Sequence, residues 1–331
     1  MTLEDHPRLP LGAWPTPLVR ARRLEARLGS GPFLIKRDDL SGFGVAGNKV
    51  RPLEYLLGGA LAGGRDAVVV GGVATSNFCQ GAAVAARAAG VECHIVLPGR
   101  PPAPVAANLS IAVACGAMVT FSGGPRDELD DRIRERAAAL EREGRSALAI
   151  PRGGASATGA LGFVRGAEEL SGQLAALGHD RVRIVLAVGS GASIAGLLVG
   201  ASQQAAGRWT ITGVSVSRSL AALSPQLGAL VEGCACLLRV PRPEASTWQL
   251  VLAEGGAHGT HSGMSADAAA AALLGLESEG LILDADYTAQ AFSVALRQLA
   301  EPGPPVVFWH TGGLAGAISR YVAAPAFREE P

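Results

Sequence analysis

Short apolar runs rich in Val, Ile and Leu alternate with runs of helical periodicity along almost the whole chain, and most of the apolar runs end in Gly, Ser or Pro-Gly. "DAVVVGG" (66–72), "ECHIVLPG" (92–99), "AMVTFSG" (117–123) and "SALAIPRG" (146–153) read as strands. Between them lie helical patterns: "SNFCQGAAVAARAAG" (76–90), closed by Gly90, "VAANLSIAVACG" (105–116) and the charged "RDELDDRIRERAAALEREG" (126–144). The rhythm then continues. A helix at 162–178 precedes the strand "VRIVLAVGSG" (182–191), and the helix "SIAGLLVGASQQAAG" precedes the strand "WTITGVSVS" (209–217). A helix at 265–280 precedes the strand and turn "PPVVFWHTGG" (304–313), which a last helix, "LAGAISRYVAA", follows. Parallel strands need crossover helices, so this order predicts an α/β fold with a mainly parallel twisted sheet flanked by helices.

The chain has 331 residues, enough for two domains. Its 44 glycines and 48% hydrophobic content suit helices packed closely on a buried sheet. Lys plus Arg and Asp plus Glu both total 29, so no basic excess exists for a nucleic acid or an anionic membrane. The uncharged span 184–207 is long enough for a bilayer, but its Gly, Ser and Gln residues fit a strand, a turn and a helix. The N-terminal "MTLEDHPRLP" lacks the apolar stretch of a signal peptide. Five cysteines with no CxxC pair and no Cys/His cluster at zinc spacing predict reduced thiols, a cytoplasmic setting and no metal.

Ligands of open parallel sheets bind beyond the carboxyl ends of the strands. Three strand exits therefore stand out: "GGVATSN" (71–77), "GSGAS" (189–193) and "HTGG" (310–313). In "GSGAS" a strand turns into a helix, where converging amides and the helix dipole attract an anion. Ile194 replaces the third glycine of a dinucleotide loop, and no acidic residue follows to hold a ribose. A single-phosphate cup is the favoured reading, a merely tight turn comes next, and a nicotinamide site comes last. Lys49 poses a second puzzle, because it follows the glycine-rich "SGFGVAGN". A phosphate cup with a separate lysine suggests pyridoxal 5'-phosphate, whose aldehyde needs a lysine amine. Glycines beside Lys49 would let a flat ring approach the backbone. The plainer reading is a solvated lysine in a flexible loop.

"IKRDDLSGFGVAGNKVRPLEYLL" resembles the core motif of the D-cysteine desulfhydrase and 1-aminocyclopropane-1-carboxylate deaminase family, which consists of fold-type II pyridoxal phosphate enzymes related to the tryptophan synthase β subunit. "WPTPLVRARRLEARLG" (14–29), the Ser-Asn helix from 76, "GSGASIAG", "SEGLILDADYTAQA" (278–291) and "FWHTGGLAG" (308–316) extend the likeness in order over nearly the whole chain. The resemblance implies a large domain from residues 1–51 plus 159–331 and a small inserted domain from 52–158, with substrate between them. Lys49 would be the Schiff-base lysine and would move the substrate α-proton. Asn77 would bind the ring 3'-oxygen, and Ser190, Gly191, Ala192 and Ser193 the phosphate. Thr311 would offer its hydroxyl to the pyridine nitrogen. Ser76 and Tyr287 would act on the substrate, in contact with it together with Asn77 and Phe78.

The implied activity is α-proton abstraction and β-elimination on a small amino acid, giving a keto acid and ammonia. β-Replacement to a specialised amino acid is the alternative, and a non-catalytic binding relative is a further one. Relatives imply a homodimer. Plainer roles are helix capping for Ser76 and Asn77, core packing for Tyr287 and a turn for Thr311.

Several positions depart from the family pattern. Thr288 stands where the deaminase carries Glu, which favours the desulfhydrase branch. Phe78 and Cys79 replace the polar residue that meets the substrate carboxylate, and Cys79 reads as a packed thiol. Pro52 replaces a phosphate-side lysine, leaving that phosphate to backbone donors, hydroxyls, the dipole and Arg51. "GGAHGTHSGMS" (255–265) replaces a Tyr-containing run, with His258 about where the Tyr is expected, as a substrate-side donor. These changes surround the substrate rather than the cofactor, which implies pyridoxal chemistry on an altered substrate.

Overall fold

The structure, a computed structural model, describes residues 2–205, 207–253 and 264–323. Its strands in chain order are β1 (Leu18–Arg20), β2 (Phe33–Arg37), β3 (Ala67–Gly71), β4 (Glu92–Leu97), β5 (Met118–Phe121), β6 (Ala147–Ala149), β7 (Val182–Val188), β8 (Trp209–Ser215), β9 (Trp248–Leu252) and β10 (Val306–His310). The helices are α1 (Arg22–Leu28), α2 (Val50–Ala62), α3 (Asn77–Ala89), α4 (Ala107–Ala114), α5 (Leu129–Arg142), α6 (Ala157–Ala176), α7 (Ala192–Gln204), α8 (Leu220–Leu238), α9 (Ala266–Glu279), α10 (Thr288–Ala300) and α11 (Leu314–Ala323).

Two sheets result. One has the strand order β1-β2-β10-β7-β8-β9 and the other β5-β4-β3-β6. Among the described residues only the β1–β2 pairing is antiparallel; the remaining ladders are parallel. The chain starts the larger sheet, leaves it to build the smaller one, and returns to complete the first. Every residue of β3 and of β10 is buried, as strands covered by helices on both faces must be. On one face of the larger sheet α6, α7 and α8 pack over Leu186, Val307 and Trp309. On the other, α9 and α10 enclose Phe33, Phe292 and Phe308, with the last two rings edge to face at 5.0 Å.

Small residues set these helix spacings. A Cβ on Gly196 of α7 would lie 1.9 Å from the Ala160 carbonyl oxygen of α6, and one on Gly162 of α6 would lie 2.3 Å from the Arg51 oxygen of α2. Either helix pair would have to move apart to admit a methyl group. The N-terminal segment is fastened to α2 by one carboxylate. Glu54 accepts hydrogen bonds from Arg8 Nε at 2.7 Å, from the backbone nitrogens of Leu11 and Gly12, and from Trp14 Nε1 at 2.8 Å.

The uncharged span 184–207 resolves into β7, a turn and α7, as its composition predicts. By length and composition α8 could cross a membrane, yet its Leu223, Leu227, Val231 and Cys234 pack into the core. Helix α6 starts at Ala157 rather than 162, because Ser156 caps it by accepting from the Gly159 nitrogen at 3.1 Å. Helix α2, absent from the periodicity reading, is buried on nearly every side, so no polar stripe marks it.

Candidate active site

The strand exits of the two sheets face a common cleft. Lys49, Gly72, Ser76, Asn77, Phe78, Ser190, Gly191, Ser193, Tyr287 and Thr311 all line it, so the candidate residues from five separate segments do converge. Ala192 follows in the same turn at the start of α7. His258 lies outside the described residues.

Lys49 ends a short 3-10 turn, Gly47–Lys49, and caps the start of α2. Its ammonium has no hydrogen-bond or ion-pair partner among the described residues. Burial without a counter-charge lowers its pKa to about 8. The chain has only one other lysine, Lys36, which is fully buried and donates to Thr16 O at 2.7 Å, to Gln173 Oε1 at 2.7 Å and to Glu169. Lys49 is therefore the one lysine with a free amine on the cleft.

The glycines before Lys49 have a specific task. Gly47 has φ +58°, and a Cβ there would lie 2.5 Å from the Thr311 oxygen. Asn48 N donates to that oxygen at 2.9 Å. The cleared space thus brings the lysine loop onto the β10 exit, backbone against backbone, which fixes Lys49 relative to Thr311. The Thr311 hydroxyl has no partner of its own among the described residues.

The turn 189–191 runs from β7 into α7, and Gly191, at φ +97°, caps the helix. A helix that starts at a glycine without a side-chain cap leaves its first amides available for an anion. Asn48 Nδ2 donates to Ser193 Oγ at 3.2 Å, tying the lysine loop to this turn. Tyr287 lies across from it; a Cβ on Gly189 would come within 3.1 Å of the phenol ring. Burial pushes the Tyr287 hydroxyl up to about 12, so it stays protonated.

Ser76 caps α3, accepting from Cys79 N at 3.2 Å, which leaves its own proton to donate. Both readings of Ser76, cap and cleft hydroxyl, are compatible. Asn77 accepts from Asn108 Nδ2 at 2.8 Å through its side-chain oxygen, so its amide NH2 is the group left for the cleft. Phe78 is 2% exposed and packs against Gly154, as much a core residue as a wall. Cys79 is buried and its thiol pushed up to about 11, which supports a packed rather than reactive cysteine.

Arg51 does not reach the anion turn, contrary to expectation. It points away from the cleft into a buried network, donating to Asp38 Oδ2 at 2.8 Å and Oδ1 at 2.7 Å and to Glu169 Oε2 at 3.1 Å. Thr288 is likewise drawn off, donating to Asp284 Oδ2 at 2.6 Å.

Other cleft residues escaped the sequence reading. Asp284, buried and pushed up to about 6 by that burial, accepts from the backbone nitrogens of Asp286, Tyr287 and Thr288 and so orders the segment that carries Tyr287. Arg126, Arg152 and Arg218 also line the cleft. Arg152 and Arg218 each follow the carboxyl end of a strand, so the strand-exit rule applies to them as well. Arg126 sits ahead of a charged helix and reads as ordinary solvated charge. Asn108 carries no local signal.

Residues 9–312 match a family described as "Pyridoxal-phosphate dependent enzyme". A Pyrococcus abyssi protein named, provisionally, 1-aminocyclopropane-1-carboxylate deaminase is 34% identical, across 95% of this chain and 94% of its own. The D-cysteine desulfhydrase of Klebsiella pneumoniae strain MGH 78578 is 34% identical, across 96% and 97%. A crystal structure described as a homologue of ACC deaminase superposes with TM-score 0.87 at 32% identity, across 97% of both chains.

Proposed function

The chain belongs to the pyridoxal-phosphate dependent enzymes, and from that premise we propose that it is a lyase or deaminase that takes the α-proton from a small amino acid and eliminates its β-substituent, yielding a keto acid and ammonia. The observation that carries this reading is the unpartnered Lys49 amine on the same cleft as the Gly191-capped turn. The residues fit the cofactor: an amine for its aldehyde, an anion turn for its phosphate, an N–H donor for its 3'-oxygen and a neutral hydroxyl for its ring nitrogen. When bound, pyridoxal phosphate withdraws electrons from the substrate Cα.

Each residue then has its own task. Lys49 Nζ, neutral in a useful fraction near neutral pH, holds the cofactor and later takes the α-proton. Ser190, Gly191, Ala192 and Ser193 fix the phosphate through hydroxyls and helix-start amides. The Asn77 NH2, oriented by Asn108, donates to the 3'-oxygen. Thr311 offers a neutral partner to the ring nitrogen, which a carboxylate would keep protonated. A hydroxyl there, unable to keep that nitrogen protonated, would favour elimination over transamination. Ser76 and Tyr287, both protonated, donate to substrate oxygens or to the departing group. Names of relatives point to cysteine and aminocyclopropane carboxylate as first substrates. Incubating the holoenzyme with D-cysteine, L-cysteine and 1-aminocyclopropane-1-carboxylate, and measuring ammonia, keto acid and sulfide, tests the reading. Bound cofactor with no amino acid turned over would overturn it.

We further assign residues 52–158, which carry the four-stranded sheet, to a small domain inserted in the remainder, and place the protein as a cytoplasmic homodimer. The free cysteines, Cys79, Cys93 and Cys234 among them buried, fit a reducing compartment. Sedimentation of the holoenzyme checks the dimer.

Two further outcomes follow. Lys49 must lose its proton before it can attack the aldehyde. The rate at which apoenzyme takes up cofactor should rise about tenfold between pH 7 and 9 and flatten above about 8 to 9, as a lysine shifted down to about 8 requires. Stopped-flow absorbance measures it, and a rate still climbing steeply at pH 10 would mean an unshifted lysine. Asn108→Leu removes the donor that holds the Asn77 oxygen at 2.8 Å. Cofactor affinity should fall about three- to tenfold, the worth of one hydrogen bond, read by equilibrium dialysis with circular dichroism as the check on folding.

A further inference from the structure

Three guanidinium groups, those of Arg126, Arg152 and Arg218, line the cleft together with one acid, Asp284. Arg152 donates through Nε to Asp130 Oδ2 at 2.8 Å, through its backbone nitrogen to Oδ1 at 3.0 Å, and through Nη1 to the Arg126 carbonyl at 2.8 Å. Asp130 thereby offsets one positive charge. Among the described residues the Arg218 side chain donates only to the neutral Gln226, which in turn donates to the Ser190 carbonyl at 3.1 Å. The Arg126 guanidinium has no partner among the described residues. Asp284, the acid that lines the cleft, is committed to ordering the Tyr287 segment.

These arginines come from opposite sides. Arg126 and Arg152 stand on the side of the four-stranded sheet, after β5 and β6, and Arg218 follows β8 of the six-stranded one. They lie close enough to interact. The Arg218 pKa is lowered by its burial and then by the charges of Arg152 and Arg126, and the charges of Arg126 and Arg218 both reach the Tyr287 hydroxyl. Asp130 offsets part of the Arg218 charge at a distance, but neither Arg126 nor Arg218 has an ion-pair partner among the described residues; three cations against one nearby acid repel each other in a half-buried site, and a ligand anion relieves that repulsion.

A cofactor-bound amino acid brings two anions of its own, and the fold has a place for each. The N-terminus of α7 suits the phosphate. The N-terminus of α3 presents the Asn77 and Phe78 amides, with no acceptors recorded among the described residues, to the α-carboxylate. The arginines are a third anion station. We propose that the substrate is a small amino acid whose side chain carries a second anionic group, a carboxylate, sulfonate or phosphate, received by Arg126, Arg152 and Arg218. This rests on the reading of the cleft as an amino-acid site.

The test titrates wild-type holoenzyme with both enantiomers of aspartate against asparagine, of phosphoserine against serine, and of cysteate against cysteine, following the cofactor absorbance. At least one anionic member should bind ten times or more tighter than its neutral counterpart, and Arg126→Met and Arg218→Gln should each reduce that ratio about tenfold. Comparable or weaker binding of every anionic member overturns the inference while the proposed function stands. If no amino acid of either kind is bound, the proposed function falls with it. Were the arginines partners of the cofactor phosphate instead, Arg126→Met would lose cofactor affinity and keep the ratio, and the inference is wrong. The wild-type titrations decide the matter even if a variant does not fold.

Discussion

Lys49→Ala protein should fold, bind cofactor without a covalent link and turn over no amino acid above about one ten-thousandth of the wild-type rate. Two losses combine. A positioned acid–base group contributes about a hundred- to ten-thousand-fold, and loss of the covalent attachment adds to it. Folding should survive, because the Lys49 ammonium has no partner to lose among the described residues. Its pKa, lowered to about 8 by burial alone, shows that the charged form is disfavoured there, so alanine removes a buried charge rather than a contact. The chain simplifies the covalent test, since it has only two lysines. Borohydride reduction of the holoenzyme followed by peptide mass mapping should place the cofactor on the peptide containing residue 49. Lys36, held by Thr16, Gln173 and Glu169 inside the larger sheet, should carry none. A tag on Lys36, or normal turnover by Lys49→Ala, would sink the assignment.

The alternation of strands and helices was legible because β3, β7 and β10 are covered on both faces. Such strands appear as unbroken apolar runs that end abruptly at glycine or serine. The cleft was legible for a related reason, since each run stops where the backbone turns toward a ligand. Helix α2 was not legible, because burial all round erases amphipathic periodicity. Adjacency misplaced Arg51. Residues two apart on a helix project to nearly opposite sides, so placing Lys49 on the cleft sends Arg51 into the core. The arginine cluster was hidden for another reason: Arg126, Arg152 and Arg218 meet only through the packing of both sheets, so although Arg152 and Arg218 each follow a strand end, nothing local joins them to each other or to Arg126, which resembles a solvated charge. His258, singled out from its place in the family pattern, lies outside the described residues.

The other large effect concerns stability and follows from where Arg51 goes. Its guanidinium grips Asp38 with two bonds, reaches Glu169 at 3.1 and 3.2 Å, and lies 4.1 Å from the Trp14 ring centroid. Asp38 is fully buried and also accepts from Trp309 Nε1 at 2.7 Å and Thr16 Oγ1 at 2.8 Å. With Lys36 the cluster holds two cations and two carboxylates. Burial works against the Arg51 charge, but Asp38 and Glu169 more than offset it, so its pKa is raised, and that of Asp38 is lowered by the same pairing. Arg51→Met keeps the volume but leaves two buried carboxylates facing one lysine. Removing one partner of such a network costs about 3–5 kcal/mol, against a typical total of about 5–15 kcal/mol. The unfolding midpoint of the apoenzyme should drop by about 5–15 °C, and its urea midpoint should fall in step. Arg51→Lys restores the charge without the planar fork and should recover part of the loss. A phosphate-binding role would leave a different signature: an apoenzyme as stable as wild type, with weakened cofactor binding. Urea unfolding of apoenzyme beside cofactor titration separates the two, and an unfolding free energy unchanged within about 1 kcal/mol would contradict the buried-network role.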